Sequence, residues 1–168
     1  MMFEIKTLSL EAVPRALAKA ERYRLLNEPG EAESICLDAL QVDPGNQEAL
    51  VMLLLALTDQ FDHDPTGRLP RAWQVADQIQ SEYERAYYKG IIWERAAKAQ
   101  LHRGTPGSGP RAYEWLREAM AAYERAEAIR PPGNDDARLR WNTCARLIMS
   151  NAKLAPASEE RGEPLLLE

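Results

Sequence analysis

Apolar residues recur three and four positions apart through most of the chain, the spacing of one face of an α-helix. Residues 32–57 show the pattern most clearly. Ala32, Cys36 and Ala39 form a stripe, Asp43-Pro44-Gly45-Asn46 interrupts it, and a leucine-rich run follows from Glu48 to Leu57. Two helices joined by so short a break lie antiparallel and bury the stripe between them. The spacing returns further on, where Ala119, Tyr123 and Ala126 precede Pro131 as Ala32, Cys36 and Ala39 precede Pro44. Pro132-Gly133-Asn134 and Ala137 likewise repeat Pro44-Gly45-Asn46 and Ala49.

The pattern predicts seven helices. The first covers 12–27, with Pro14 in the first turn, where its missing N–H costs nothing. Val13, Leu17, Ala20 and Tyr23 or Arg24 step along its inner side. The second, 31–42, turns Ala32, Ile35, Cys36, Ala39 and Leu40 inward. The third, 47–60, is apolar nearly all round and needs neighbours on both flanks. A polar loop over 61–70 follows, with Asp64-Pro65-Thr66-Gly67 as a turn. The fourth helix, 71–80, carries Ala72, Val75, Ala76 and Ile79. Ser81 and Glu84 have the spacing of a capping box that starts the fifth helix, which runs to His102. Its inner residues are Tyr83, Tyr87, Gly90, Ile91, Trp93, Ala97 and Leu101. A glycine inside a helix costs about 1 kcal/mol relative to alanine, so another helix is expected to approach closely at Gly90. A glycine- and proline-rich loop over 104–110 precedes the sixth helix, 111–129. The seventh, 135–152, is expected to bury Leu139, Trp141 or Asn142, Ala145 and Ile148. The division is a lead-in over 1–11, a helical domain over 12–152 and a disordered acidic tail over 153–168.

Helix pairs recurring near 34 residues, with small residues at fixed crossings and a closing proline, resemble tetratricopeptide repeats. Tyr23, Ala32, Cys36, Ala39 and Pro44 carry the likeness in the first repeat, and Ala119, Tyr123, Ala126 and Pro131 in the third. The middle repeat keeps Leu50, Leu53, Leu54, Leu57, Ala72, Ala76 and Ile79 but has no closing proline. Ala32 to Ala72 spans 40 residues and Ala72 to Ala119 spans 47, both longer than one repeat. The excess is assigned to the 61–70 loop and to the long fifth helix with its following loop. The resemblance implies an all-α superhelix of about three helix pairs plus a C-terminal capping helix. It also implies a non-enzymatic scaffold or adaptor that binds protein on the concave face. Some family members grip a terminal carboxylate with Lys and Asn, but here the third helix offers Val51, Met52 and Leu55. The physical account agrees: one helix pair cannot bury both faces, so pairs stack around a continuous core.

Composition changes this picture little. The chain has 168 residues, 45% hydrophobic and 28% charged, enough for one compact domain. The net charge of −5 is uneven: −5 over residues 1–60, +3 over 61–154 and −3 over 155–168. Nothing is basic enough to require nucleic acid. The apolar run from Leu50 to Leu57 is too short to span a bilayer. Two cysteines inside helical patterns, with no export signal, read as reduced core thiols of a soluble cytoplasmic protein.

Candidate chemistry is sparse. Asp62-His63-Asp64 lacks a fourth ligand at a metal-site spacing. His102 ends a helix and has no acid–base partner in view. The segment from Gly104 to Gly109 follows a helix and lacks the Gly-Lys-Ser/Thr of a phosphate loop. No catalytic, metal or cofactor residue is therefore assigned. Basic side chains on the fifth helix (Arg85, Lys89, Arg95, Lys98, Arg103) and seventh (Arg138, Arg140, Arg146) read first as solvated faces paired with glutamates, and second as a lining for acidic partners. The expected partner-contact residues are Glu48, Val51, Leu55, Asp59, Tyr87, Ile91, Arg95, Asn142 and Arg146. The alternative is a ligand-sensing domain that holds a small molecule in the groove. The acidic, leucine-ending tail is a candidate pseudo-ligand for a groove of Val51, Leu55, Ile91, Arg95 and Arg146.

Overall fold

The computed structural model describes residues 2–63 and 65–158, Pro65 by its backbone alone. After a short 3-10 turn, Leu10–Ala12, the chain forms α1 (Val13–Leu25), α2 (Pro29–Val42), α3 (Gln47–Thr58) and α4 (Pro65–Asp77). Three further helices follow: α5 (Glu82–Arg103), α6 (Ser108–Ala128) and α7 (Asp136–Ser150). The described residues contain no strand, and each helix packs on the next in sequence order. The inner helices α1, α3 and α5 also touch one after another, so the chain is an all-α array of stacked helix pairs.

Local chemistry sets the helix ends. At the end of α1 the Glu28 N–H donates to the Tyr23 carbonyl (2.8 Å) and the Asn27 N–H to the Arg24 carbonyl (2.9 Å). Asn27 has φ +59°, the left-handed conformation that closes such a cap and that Asn tolerates. The Asn46 side chain accepts from the Ala49 N–H at the start of α3, and Ser81 accepts from the Glu84 N–H at the start of α5. Gly104, φ +61°, ends α5.

The repeated stripe is core. Ala32, Cys36, Ala39, Ala72, Ala76, Ala119, Tyr123 and Ala126 are all buried. Two apolar clusters result. The first joins α1 to α4 and takes Ile92, Ala96 and Ala99 from α5; the second joins α6 and α7 and takes Ile91 and Ala97 from α5. Helix α5 is thus the shared wall between them.

Four expectations need correction. Helix α4 starts at Pro65, six residues early, and runs across Pro70. Pro65 opens the helix without loss. Pro70 lies in the second turn, inside the helix, and removes one bond of the ladder, which the packing of Leu69 and Trp73 on the first cluster offsets. The extra length of the middle repeat is therefore largely helix, not loop. Helix α6 likewise starts at Ser108, which reduces the glycine- and proline-rich loop to 104–107. In α7, Trp141, Ala145 and Ile148 pack on the second cluster as expected, but Leu139 is 62% exposed and Ala137 and Cys144 complete the stripe in its place. Finally, the close approach at Gly90 is made by a side chain. A Cβ there would sit within 3.0 Å of three ring carbons of Tyr123.

Packing also continues past residue 152. Leu154 is buried in the second cluster, and Lys153 lies against Gly109 at the start of α6. The candidate tail segment 159–168 lies outside the described residues.

Candidate binding surface

The inner helices present one half-open face. Val51 and Leu55, one turn apart on α3, are partly buried against the core. Tyr88 of α5, like Leu55, packs against both clusters. Beside it Tyr87 meets Tyr88 edge-on with ring centroids 5.1 Å apart, stacks on Tyr83 at 6.1 Å, and tilts against Tyr123 at 5.8 Å. Burial pushes the Tyr88 phenol up to about 12, with Tyr87 and Glu84 adding to the rise. Tyr87 is also raised, by burial first, although Arg140 opposes the rise. The two rings lie on an apolar base, with the Tyr87 hydroxyl bonded to Arg140.

One end of this face is tied by charge. Asp59, at the end of α3, accepts from Arg24 Nε of α1 at 2.7 Å and pairs with Arg95 of α5. Arg95 also donates to the Thr58 hydroxyl at 2.9 Å. One carboxylate thus joins three inner helices, and a small cleft of about 190 Å³ beyond it reaches His102 and Asp62. His102 Nδ1 lies 3.3 Å from Asp62 Oδ1. Among the described residues no group of three or more His, Cys, Asp or Glu is placed to hold a metal ion, and Asp64 lies outside them.

The nine expected contact residues do not form one patch. Asp59 and Arg95 are brought together, with Val51 and Leu55 on the same inner helices. Glu48 is exposed in the first turn of α3, and Tyr87 joins the tyrosine cluster. Ile91 is 1% exposed and belongs to the second core, because α5 turns it toward α6. It offers nothing to a partner, and neither the expected contact set nor the expected tail groove can include it. Asn142 lines a cleft with Trp141, Glu124 and Glu127, between α6 and α7 and apart from the residues of α3 and α5. Arg146 is exposed on α7. Most of the basic side chains are paired, as the first reading expected: Lys89 with Asp77, Lys98 and Arg140 with Glu94, Arg138 with Glu127.

Glu94 is the residue that the sequence reading missed. It is fully buried among α5, α6 and α7. Its Oε1 accepts from the Tyr123 hydroxyl at 3.1 Å and the Cys144 thiol at 3.4 Å; its Oε2 accepts from Lys98 at 2.8 Å and lies 3.6 Å from Arg140. Burial alone would push its carboxyl up, but the Lys98 hydrogen bond, with the charges of Lys98 and Arg140, holds it below the ordinary value. The same site pushes the Cys144 thiol up to about 12, by burial and by the Glu94 charge. A neutral, buried thiol is not a nucleophile, so the cluster is an internal tie. The signal was present: residues 83, 87, 90, 94, 97 and 101 continue one inward stripe.

A second concave feature lies between α4 and α6. It is a cleft of about 380 Å³ floored by Ala96 and Ala99 of α5. Phe61, Leu69 and Pro70 form one wall, Trp115 the other, and Gln100, Arg103 and Arg111 supply its polar groups. A row of indoles backs it, Trp73 meeting Trp93 at 5.2 Å and Trp93 meeting Trp115 at 6.2 Å.

No helix among the described residues is long and apolar enough to cross a membrane. Comparison of the chain with family models, curated proteins and solved structures gave no match.

Proposed function

We propose that the protein is a non-enzymatic adaptor of the tetratricopeptide-repeat kind that holds a protein or peptide segment on its inner face. The observation that supports this reading is the half-open strip of Val51, Leu55, Tyr87 and Tyr88, flanked by the Arg24–Asp59–Arg95 bridge. Tyrosine and arginine over an apolar base dominate the binding energy of many protein interfaces. Stacked helix pairs leave an extended concave surface suited to a chain segment rather than a compact ligand. The small-molecule alternative needs a polar cluster open into an apolar pocket. The polar cluster around Glu94 is instead filled by donors of the chain itself. The two free, buried thiols, Cys36 and Cys144, fit a reducing compartment, and we place the adaptor in the cytoplasm.

Selection from a displayed peptide library tests the reading. Enriched peptides are expected to lose most of their binding to Leu55→Asp and Tyr88→Ala variants, each checked for intact helical content. They should bind Asn142→Ala as well as the unsubstituted chain. Failure to enrich, or enrichment insensitive to Leu55 and Tyr88, overturns it.

A further inference from the structure

The cleft between α4 and α6 carries an inference of its own. Its floor and walls are apolar side chains, and its charged lining residues are two arginines, Arg103 and Arg111, with no carboxylate among them. An occupant that fits is a short aliphatic segment with acidic flanks. The chain contains one: Glu163-Pro164-Leu165-Leu166-Leu167-Glu168, within a stretch, 155–168, of net charge −3.

The position of the last described residues makes this occupant reachable. Lys153 rests against Gly109 in the first turn of α6, and Leu154 is buried beside that helix. Arg111 and Trp115 follow on the same helix, about 3 and 9 Å further along its axis at 1.5 Å per residue. They lie on the side of α6 turned away from Lys153, so the chain has to pass around the helix start. Ser158 is the last described residue, and the six residues from it to Pro164 extended span up to ~20 Å. That exceeds the path around a helix ~10–12 Å across. A tethered segment has an effective concentration of roughly millimolar, so weak intrinsic affinity is sufficient.

We propose that Leu165, Leu166 and Leu167 of this chain dock intramolecularly in the α4–α6 cleft, with Glu163 and Glu168 facing Arg103 and Arg111. Docking there covers Trp115 and leaves the inner face open, so the segment does not compete with a partner on the face of Val51 and Leu55.

Amide and indole NMR spectra of the full chain test this. In a full chain carrying Leu165→Asp, Leu166→Asp and Leu167→Asp, the Trp115 indole N–H and the Leu69 and Ala99 amides are expected to shift. Ala20 and Ala39, in the first helix pair, should not. Arg111→Glu in the full chain should move the same cleft signals in the same direction. Cleft signals that do not move in the triple variant overturn the proposal. So does a difference between native and triple-variant chains that disappears on dilution, because the cleft is then filled by a neighbouring copy.

Discussion

Cys36 in the first helix pair and Tyr123 in the third occupy the same place in the repeated stripe, each between two buried alanines. Around Cys36 the packing is apolar, and the charges of Arg24 and Glu33 act on the thiol in opposite senses. The thiol is fully buried, and burial pushes it up to about 12, so it behaves as a small hydrophobic side chain. Around Tyr123 one larger side chain imposes a series of requirements. The ring needs Gly90 opposite, because any Cβ there would overlap it. The phenol needs a buried acceptor, which Glu94 supplies. The carboxylate then needs compensating charge, which Lys98 and Arg140 supply. Equal spacing in two repeats therefore does not mean equal physics, since a buried polar atom must find a partner.

The most severe way to break the third pair alone is Glu94→Ala. It takes the acceptor from the buried Tyr123 hydroxyl and the counter-charge from Lys98 and Arg140. These two cations are 35% and 29% exposed and Arg140 keeps Tyr87, so the loss should fall at the lower end of the ~3–5 kcal/mol for breaking a buried pair. Urea unfolding should show the loss as a lower midpoint. Gly90→Ala comes next, at ~1–3 kcal/mol for overpacking. Gly45→Ala, whose added Cβ meets nothing within 4 Å, should leave the midpoint nearly unchanged. Equal effects at the two glycines would contradict the contact with Tyr123.

The third test is pH. The Tyr123 phenol is raised far above its ordinary 10.0, by burial first and by the Glu94 charge second. Its contribution is therefore complete below about pH 10 and is lost as pH climbs from there toward the higher folded value. In that window the native chain should lose up to ~1.4 kcal/mol per pH unit relative to Tyr123→Phe. Glu94 acts in the opposite sense. Its lowered carboxyl contributes above the ordinary 4.5 and loses that contribution as pH falls through its folded value. A Tyr123→Phe chain with the same alkaline slope as the native one would show that the phenol is not the group concerned.

The smallest effect is expected on the other side of the comparison. Glu33 of α2 accepts from Gln60 and Arg71, both at 2.8 Å, and ties α2 to the end of α3 and to α4. Arg71 is 43% exposed and regains water when released, and Gln60 keeps the Ala56 carbonyl, but Glu33 is itself 12% exposed and also faces Arg68 at 3.6 Å. Glu33→Ala should therefore cost ~1–2 kcal/mol, less than Glu94→Ala. A loss as large as that from Glu94→Ala would remove the distinction between the two carboxylates.

The helix pairs and the buried stripes were legible because small residues at helical spacing leave few other packings. Pro65 and Pro70 misled: proline opens a helix without loss at Pro65, and Pro70 is tolerated inside α4 because Leu69 and Trp73 pack on the first cluster. Leu139 misled because it lies on the side of α7 opposite Trp141, Ala145 and Ile148, whose stripe Ala137 and Cys144 complete. Glu94 sat on a readable inward stripe but was passed over because charged residues are rarely fully buried. Ile91 was read both as an inner residue and as a partner contact, because α5 has two inner sides and one amphipathic pattern does not say which of them is open. The inner face itself stayed diffuse in the sequence, because Tyr88 and Arg24 reach it through contacts between helices far apart in the chain.

The stability of a stacked array is approximately a sum of terms within each repeat and between adjacent ones. Asp59 departs from that rule, since its carboxylate grips α1 and α5 from α3 and so spans three helix pairs. Ends of such an array ordinarily fray one unit at a time. Here, loosening the end of α3 frees α1 and α5 together, since Arg24 and Arg95 both lose the same carboxylate. Amide exchange of an Asp59→Asn chain should then show α1 and α5 opening in step, so that the curvature of the inner face hangs on one shared pin and is not accumulated joint by joint.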